Sequence, residues 1–265
     1  MRTNIIGLSI VLFGLLLGGC SPKKNNRGSY VNPEYSSYVT AFTSGDVSKG
    51  KSIKVVLTQP IDTSKYRLGE ALPDDLFDIT PNMDGVARYS DPYTIEFVPE
   101  KWFKSGEKYN VVFDLKSIVP DVPKGFEEFT FDFNTILLDY NVIMKGFDKN
   151  STYQKVNVAG EVFFTDVIDT TRLGSLIKID GIDNPSIHWE LINDLRYEFT
   201  LENCPRKDEE YGITFNFNGA DLEIDKKQTK EFTIPAVGNF KVTDVHVNNG
   251  IEQVVTVNFF SSRSY

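Results

Sequence analysis

Residues 93–113 read Y-T-I-E-F-V-P-E-K-W-F-K-S-G-E-K-Y-N-V-V-F, and this stretch decides the fold. Ile95 and Phe97 alternate with polar residues, which is typical of a strand with one buried face. The alternation returns after a loop at Tyr109, Val111 and Phe113. The stretch therefore predicts two consecutive strands of an all-β domain, joined across a covered edge.

The loop between these strands carries its own signals. Pro99 removes a ladder donor and ends the first strand, and Ser105-Gly106 supplies a turn. Trp102 and Phe103 lie between them, where we expect both rings to fold back as an apolar plug.

The same order of signals is repeated further along the chain. Pro205 follows Pro99 by 106 residues, and Tyr211 follows Tyr109 by 102. A repeat on that scale is typical of tandem modules of immunoglobulin-like size. We therefore predict an all-β chain of tandem immunoglobulin-like β-sandwiches. One covers residues 35–135, one covers 136–236, and an incomplete third domain, a hairpin, covers 237–265.

Apolar alternation and turn signals predict seven short strands in the first module, the last with Phe129, Phe131 and Phe133 on one face. In the second module the pattern is less regular, and Asn218-Gly219 predicts a hairpin. The final hairpin turns at residues 248–250. Because a lone hairpin of this apolarity is marginal in water, we expect either a truncated or frame-disrupted chain, or a hairpin that packs on the second module.

The chain opens with an export signal over residues 1–19. Arg2 precedes an apolar run that is too short to span a bilayer and is typical of a signal-peptide core. The run ends in Leu17-Gly18-Gly19-Cys20, which resembles the lipobox of bacterial lipoproteins and implies lipidation of Cys20. The alternative is an ordinary signal peptide with an incidental cysteine. A multiply acylated Cys20 would anchor the protein to a membrane without a transmembrane helix.

Residues 20–34 are predicted to form a lipidated polar tether. We interpret its cluster of Lys23, Lys24 and Arg27 as a solvated spacer rather than a binding site. Ser21, with no acidic run behind it, resembles the start of lipoproteins sorted to an outer membrane. We therefore expect an outer-membrane lipoprotein of the cell envelope, and both a periplasmic and a surface-facing orientation remain open.

The formal net charge is −9, and no basic stripe runs along the chain. This balance argues against nucleic acid as a partner, because nothing would replace the counterions of a phosphate backbone. The expected contacts are the membrane, through the lipid anchor, and proteases or other envelope proteins.

Residues able to carry catalysis are sparse. His188 and His246 are the two histidines, and they fall in different modules with no zinc-binding motif around them. With Cys20 acylated, Cys204 is the remaining thiol, and its place at a strand end favours a small half-buried hydrophobe over a nucleophile. The sequence therefore predicts no catalytic residue, no metal site and no cofactor.

Acidic pairs raise one metal hypothesis, weak calcium binding. None of them has the D-x-D-x-D-G spacing that places alternate oxygens on one ion, so we interpret them as solvated loop acids. These pairs are Asp74-Asp75, Asp166 with Asp169, and Asp180 with Asp183.

Several segments carry a family resemblance: Y-V-T-A-F-T-S-G at 38–45, T-I-E-F-V-P at 94–99, G-E-K-Y at 106–109 and F-K-V-T-D-V at 240–245. With the lipobox, they resemble the amino-terminal immunoglobulin-like domains of bacterial alpha-2-macroglobulin lipoproteins. The resemblance implies a chain of sandwiches that traps proteases when a bait segment is cut, often tethering them through a Cys-x-Glu-Gln thioester. Here Gly250-Ile251-Glu252-Gln253 has glycine in place of the thiol, and a bait segment is missing. We expect no inhibition by this chain alone.

Two functions remain. The first is a membrane-anchored scaffold or stalk of macroglobulin type, without bait region or thioester. The alternative is a stand-alone immunoglobulin-like surface lipoprotein that binds protein or glycan through sandwich loops, for which Trp102 and Trp189 are candidate contacts if they are not core residues. An enzyme is not expected, because no constellation of catalytic residues is found.

Overall fold

The computed structural model describes residues 31–62, 66–237, 241–249 and 253–260. Within these residues the chain forms seventeen strands and four short 3-10 helices, which are Pro33–Ser37, Asp74–Leu76, Thr170–Ser175 and Ala220–Leu222. The predicted all-β class is confirmed. The predicted signal peptide, Cys20 and most of the tether lie outside the described residues.

The first sandwich contains eight strands, one more than predicted. They are β1 Val39–Phe42, β2 Gly45–Val47, β3 Ile53–Leu57, β4 Phe77–Thr80, β5 Gly85–Tyr89, β6 Thr94–Pro99, β7 Lys108–Asp114 and β8 Glu128–Thr135. One sheet has the order β1-β3-β6-β5 and the other the order β2-β8-β7-β4. Neighbouring strands run antiparallel except β2, which pairs with β8 in parallel.

Strand β2 is the strand that the sequence did not predict. Gly45 has a positive φ of 75° and looks like turn punctuation, yet the chain continues into a three-residue strand. Its pairing with β8 matches Gly45 with Phe133, far away in sequence. A three-residue strand leaves almost no period-2 signal, so only the tertiary partner reveals it.

Residues 93–113 form β6 and β7, and the two strands lie in different sheets. The predicted alternation is present, since Ile95, Phe97, Tyr109, Val111 and Phe113 are all buried. The connection therefore crosses from one sheet to the other and closes one end of the core.

One aromatic ring of this connection fills the core and the other does not. Phe103 is 2% exposed and packs edge-on against Tyr109, with ring centroids 4.9 Å apart. Trp102 is 47% exposed, so the prediction that it is part of the plug is wrong. The N–H of Phe103 donates to the Lys49 carbonyl at 3.0 Å, and with the loop fixed in this way the Phe103 ring lies inside the core and the Trp102 ring outside it.

The second sandwich contains seven strands. They are β9 Tyr140–Phe147, β10 Lys155–Phe164, β11 Ile177–Asp180, β12 Ser186–Asn193, β13 Arg196–Pro205, β14 Tyr211–Asn218 and β15 Lys227–Ile234. The sheets have the orders β12-β13-β10-β9 and β11-β14-β15. All of these pairs are antiparallel.

The two sandwiches share one topology. Strands β9, β10, β13 and β12 take the places of β1, β3, β6 and β5, and β11, β14 and β15 take those of β4, β7 and β8. Only β2 has no counterpart among the described residues. The repeat predicted from the offsets of about a hundred residues is thus a repeat of topology, as expected for tandem immunoglobulin-like modules.

Some local details differ from the sequence prediction. Tyr140, Val142 and Met144 alternate along β9, which the sequence analysis did not single out, and β10 is one continuous strand of ten residues. The hairpin predicted at Asn218-Gly219 is present, since β14 pairs antiparallel with β15 and Asn218 lies opposite Lys227, but its connection contains a 3-10 helix instead of a two-residue turn. Gly219 is needed there because an added Cβ would lie 2.7 Å from Ile224 Cβ.

The last hairpin consists of β16 Lys241–Asn249 and β17 Gln253–Phe260, paired antiparallel. Val245 lies opposite Val257, and Val247 lies opposite Val255, which places all four side chains on one face. These valines are between 44% and 58% exposed. Strand β16 approaches β9, but this valine face is not covered by the described part of the second sandwich.

Candidate functional site between the two sandwiches

A cleft of about 830 Å³ opens between the two sandwiches. The first sandwich lines it with the turn before β3, the turn between β4 and β5, and the loop after β6. The second contributes two of its 3-10 helices. The polar and aromatic residues that face it include Lys49, Trp102, Lys104, Asp169, Arg172 and Glu223.

Asp166 lies in the junction between the two sandwiches, beside this cleft. Its side chain is 2% exposed, and Oδ2 accepts a hydrogen bond of 2.8 Å from the backbone N–H of Lys49 in the other sandwich. Oδ1 accepts a second bond, also 2.8 Å, from the N–H of Val167. The prediction of a solvated loop acid is therefore wrong for Asp166. Its carboxylate is buried because two backbone donors satisfy it.

Lys49 and Trp102 form the most distinctive pair in the cleft. Lys49 is 6% exposed, and its Nζ lies 5.3 Å from the centroid of the Trp102 ring. Burial lowers the pKa of the ammonium group, while the carboxylates of Glu223, Asp166 and Asp169 act in the opposite direction. The result is a desolvated cation held over an aromatic face, next to open volume.

The opposite rim is a compact set of charges on the second sandwich. Asp169 caps the helix Thr170–Ser175 by accepting from the N–H of Thr171 at 3.0 Å. Hydrogen bonds from Thr171 lower the pKa of Asp169. Arg172 Nε lies 3.3 Å from Asp169, and its Nη1 donates to the carbonyl of Asp221. The cleft thus offers both charge signs around one half-exposed indole, an arrangement suited to a polar ligand with an apolar face.

The predicted candidates for chemistry are not brought together. His188 lies exposed on the edge strand β12, and His246 lies exposed on β16. Cys204 is completely buried in the second core, more than the predicted half, and burial raises the pKa of its thiol to about 11. Such a thiol remains protonated at neutral pH and packs as a hydrophobe.

The remaining loop acids are exposed. Asp74 and Asp75 lie in the first turn of a 3-10 helix, Asp180 pairs with Lys178 at 3.3 Å, and Asp183 lies in an exposed turn. Within the described residues, no group of three or more His, Cys, Asp or Glu side chains could hold a metal ion.

The other tryptophan, Trp189, lies on a strand and not on a loop. It is half-buried on β12, with its ring centroid 5.6 Å from that of Phe199 in the core. The alternative function placed both tryptophans on sandwich loops, and only Trp102 lies on one.

Two further predictions fall at the limits of the described chain. Gly250 and Glu252 lie outside the described residues, and Gln253 begins β17. In the portion that the structure describes, no helix has the length and apolarity needed to cross a membrane.

The sequence did not identify Lys49 or Asp166 as partners. Lys49 carries no sequence signal of a site, and Asp166 was interpreted as half of an acidic pair. Their contact joins positions 117 residues apart, so no local pattern contains it. The one sequence signal that bears on this contact is the repeat of the two modules. It places the turn before β3, which holds Lys49, and the loop after β10, which holds Asp166, at the ends of neighbouring sandwiches.

Comparison with known proteins adds little. No family model matches the chain, and no curated protein matches it. Among solved structures, the chain matches L,D-transpeptidase 3 from Mycobacterium tuberculosis, in complex with a faropenem-derived adduct, at 12% identity and a TM-score of 0.26. That match covers 61% of this chain and 55% of the transpeptidase. It also matches an endo-fucoidan hydrolase of glycoside hydrolase family 107 at 11% identity and a TM-score of 0.23, over 74% of this chain and 33% of the hydrolase. These scores carry no functional argument.

Proposed function

We propose that this protein is a lipid-anchored, non-catalytic scaffold of the cell envelope, similar in role to the amino-terminal stalk of bacterial alpha-2-macroglobulin lipoproteins. The observation that carries the proposal is the short junction between the two sandwiches, which is hydrogen-bonded to both of them. A scaffold must keep a fixed distance and orientation between its ends, and this junction provides both.

The linker between β8 and β9 is short. Strand β8 ends at Thr135 and β9 begins at Tyr140. Toward the first sandwich, the N–H of Ile136 donates to the carbonyl of Val47 at 2.9 Å, and the N–H of Leu138 donates to Ser105 Oγ at 2.6 Å.

Toward the second sandwich, the same linker is bonded again. The N–H of Asp139 donates to Thr165 Oγ1 at 2.8 Å, and the N–H of Thr165 returns a bond to the Asp139 carbonyl at 3.0 Å. Together with the buried bond from Lys49 to Asp166, these contacts hold both modules from two sides. Domains joined only by a flexible linker would move relative to each other, and this arrangement opposes such motion.

The chemistry of the cleft supports a non-catalytic role. The ionisable side chains among the described residues that line it are lysines, one arginine, carboxylates and one tyrosine, and neither histidine nor Cys204 is among them. A nucleophile paired with a base, which acyl or group transfer needs, is absent from that lining. The proposed anchor is Cys20 in the segment Leu17-Gly18-Gly19-Cys20.

The test is to express the full chain and its Cys20→Ala variant in a bacterium that processes lipoproteins. We expect labelled palmitate on the wild type and recovery in the membrane fraction, and neither for Cys20→Ala. Cys204→Ala is the matched control and should behave like the wild type. The purified chain should leave trypsin activity unchanged. Membrane retention of Cys20→Ala, or stoichiometric protease trapping by the chain alone, would contradict the proposal.

A second candidate function is favoured by one observation, the half-exposed Trp102 beside the buried Lys49. These residues would let the cleft bind a glycan or a peptide side chain. Trp102→Ala should then abolish binding of that ligand without changing the melting temperature, because the ring is 47% exposed. Glycan-array binding that is equal for the wild type and Trp102→Ala would exclude the cleft.

A further inference from the structure

Strand β12 is an uncovered edge of the second sandwich. It is an outermost strand of the sheet β12-β13-β10-β9, and among the described strands it pairs only with β13. No backbone hydrogen bond among the described residues reaches its other side. An eight-residue strand in this position presents a row of unpaired N–H and C=O groups, which is the template for adding another strand.

The equivalent edge in the first sandwich is covered. Strand β5 occupies the place of β12, and part of the connection between β3 and β4 runs along it. The N–H of Gly69 donates to the Tyr89 carbonyl at 2.9 Å, the N–H of Leu72 donates to the Ala87 carbonyl at 2.8 Å, and Ala71 forms a bridge with Arg88. The same topology is thus closed by its own chain in one copy and open in the other.

The inner face of β12 is also incompletely covered. Ile187 and Trp189 pack against the core but remain half-exposed, and Leu191, next on the same face, is 60% exposed. An added strand with alternating apolar residues would bury these three side chains while it pairs with the backbone.

Composition separates β12 from the other outermost strands of this sandwich, which are β9, β11 and β15. Each of these strands carries at least one lysine (Lys145 in β9, Lys178 in β11, Lys227 and Lys230 in β15), and charged residues on an edge oppose strand addition. Strand β12 reads S-I-H-W-E-L-I-N and contains neither lysine nor proline. The open backbone, the apolar face and the lack of protecting residues coincide only here among the described strands of the second sandwich.

We propose that β12 is a docking edge that binds an extended segment of another polypeptide as an added antiparallel strand. The segment carries apolar residues opposite Ile187, Trp189 and Leu191, and a basic residue opposite Glu190. The basic preference follows from charge, because Glu190 lies directly across from Glu198, whose carboxylate already pairs with Lys145 at 2.7 Å. A cation on the added strand would compensate the outer carboxylate. This surface is independent of the anchor at Cys20.

The probe is the peptide acetyl-Ser-Val-Lys-Val-Thr-Val-Ser-amide, which places valines and lysine in this register. Binding is measured by the emission of Trp189 in a Trp102→Phe chain and located by hydrogen exchange. We expect saturable binding, slower exchange over residues 186–193 and unchanged exchange over residues 227–234. The same peptide with proline in place of the central valine should bind at least about tenfold more weakly, because proline removes a ladder donor.

Variants of the protein test the face and the charge separately. Leu191→Lys should weaken binding about tenfold or more by placing a lysine on the edge. Ile143→Lys is the matched control, since Ile143 is 48% exposed on the opposite edge strand β9, and it should bind within about twofold of the parent. Glu190→Lys should reverse the preference from the lysine peptide to one with glutamate at that position. Thermal unfolding checks that each variant is folded.

Three results would overturn the proposal: no binding at about 1 mM peptide, equal binding of the proline peptide, or protection that appears away from residues 186–193. A fourth is a concentration-dependent dimer that protects these residues without peptide. In that case the occupant of the edge is a second copy of this chain.

Discussion

Replacing Asp166 by alanine should weaken the junction between the two sandwiches, because this buried carboxylate joins the loop after β10 to the backbone of Lys49. The substitution removes the acceptor for the N–H of Lys49, which is buried, and for the N–H of Val167, which is partly buried. Both donors would be left without a partner at the base of the junction.

The expected cost follows from these two bonds. A hydrogen bond to a charged acceptor contributes about 1.5–3 kcal/mol, and a buried donor left unsatisfied costs about 1–3 kcal/mol. Because water can reach the Val167 side, we expect a total loss of about 2–4 kcal/mol in the free energy of unfolding. For a chain of this size, that corresponds to a fall in melting temperature of about 5–15 °C.

The assay is urea and thermal unfolding followed by circular dichroism and by Trp102 fluorescence, in a Trp189→Phe background. Asp166→Asn should show an intermediate loss, since an amide oxygen can accept one of the two bonds and its NH₂ group faces the other donor. Asp183→Ala is the control, because Asp183 is an exposed acid of the same sandwich and should change stability by less than about 0.5 kcal/mol. If Asp166→Ala unfolds like Asp183→Ala, the buried bond to Lys49 does not stabilise the junction.

Three further predictions concern the second sandwich. In a Cys20→Ala chain, Cys204 is the only thiol. Because burial raises its pKa to about 11, Ellman's reagent at pH 8 should label Cys204 only after the protein unfolds. Rapid labelling of the native chain would contradict the burial of this thiol. Arg206→Ala removes buried guanidinium donors to main-chain oxygens of residues 235–236 and should cost about 2–4 kcal/mol in urea unfolding, with Arg206→Lys in between. Burial alone would raise the pKa of Glu161, but hydrogen bonds from cations on β13 and β9 outweigh it and hold the pKa below its usual value. Its stabilisation is therefore present above the unfolded-state pKa and lost as pH falls through the lower, folded-state pKa, so Glu161→Gln should flatten the decline in melting temperature below about pH 4. If the melting temperature of Glu161→Gln falls in acid as steeply as that of the wild type, the ion pairs of Glu161 do not stabilise the folded state.

Much of the fold could be predicted because the relevant signals are local. Ile53, Val55 and Leu57 alternate with Lys54 and Val56, and the three alternating residues are buried as the period-2 pattern predicts. The offsets between Pro99 and Pro205 indicated a repeat, and the sheet orders show it. Period-2 burial and turn residues act within a few positions, so they are visible in a single sequence.

The candidate site was harder to predict because it is made of contacts between distant residues. Trp102 and Phe103 are adjacent aromatic residues with similar expectations, yet one fills the core and the other faces the cleft. Asp166 resembles any loop acid until the N–H of Lys49 is placed beside it. Neither outcome follows from residue type, because each depends on which donor or cavity the fold brings near.

By itself, the sequence determined that the chain is all-β, that its modules repeat, and which side chains alternate into each core. Tertiary structure alone decided that β6 and β7 lie in different sheets, that Asp166 is buried at the junction, and that β12 is left open where its counterpart β5 is covered. The physical reason is range: strand patterning is encoded every second residue, whereas sheet partners and uncovered edges depend on segments that meet only after the chain has folded.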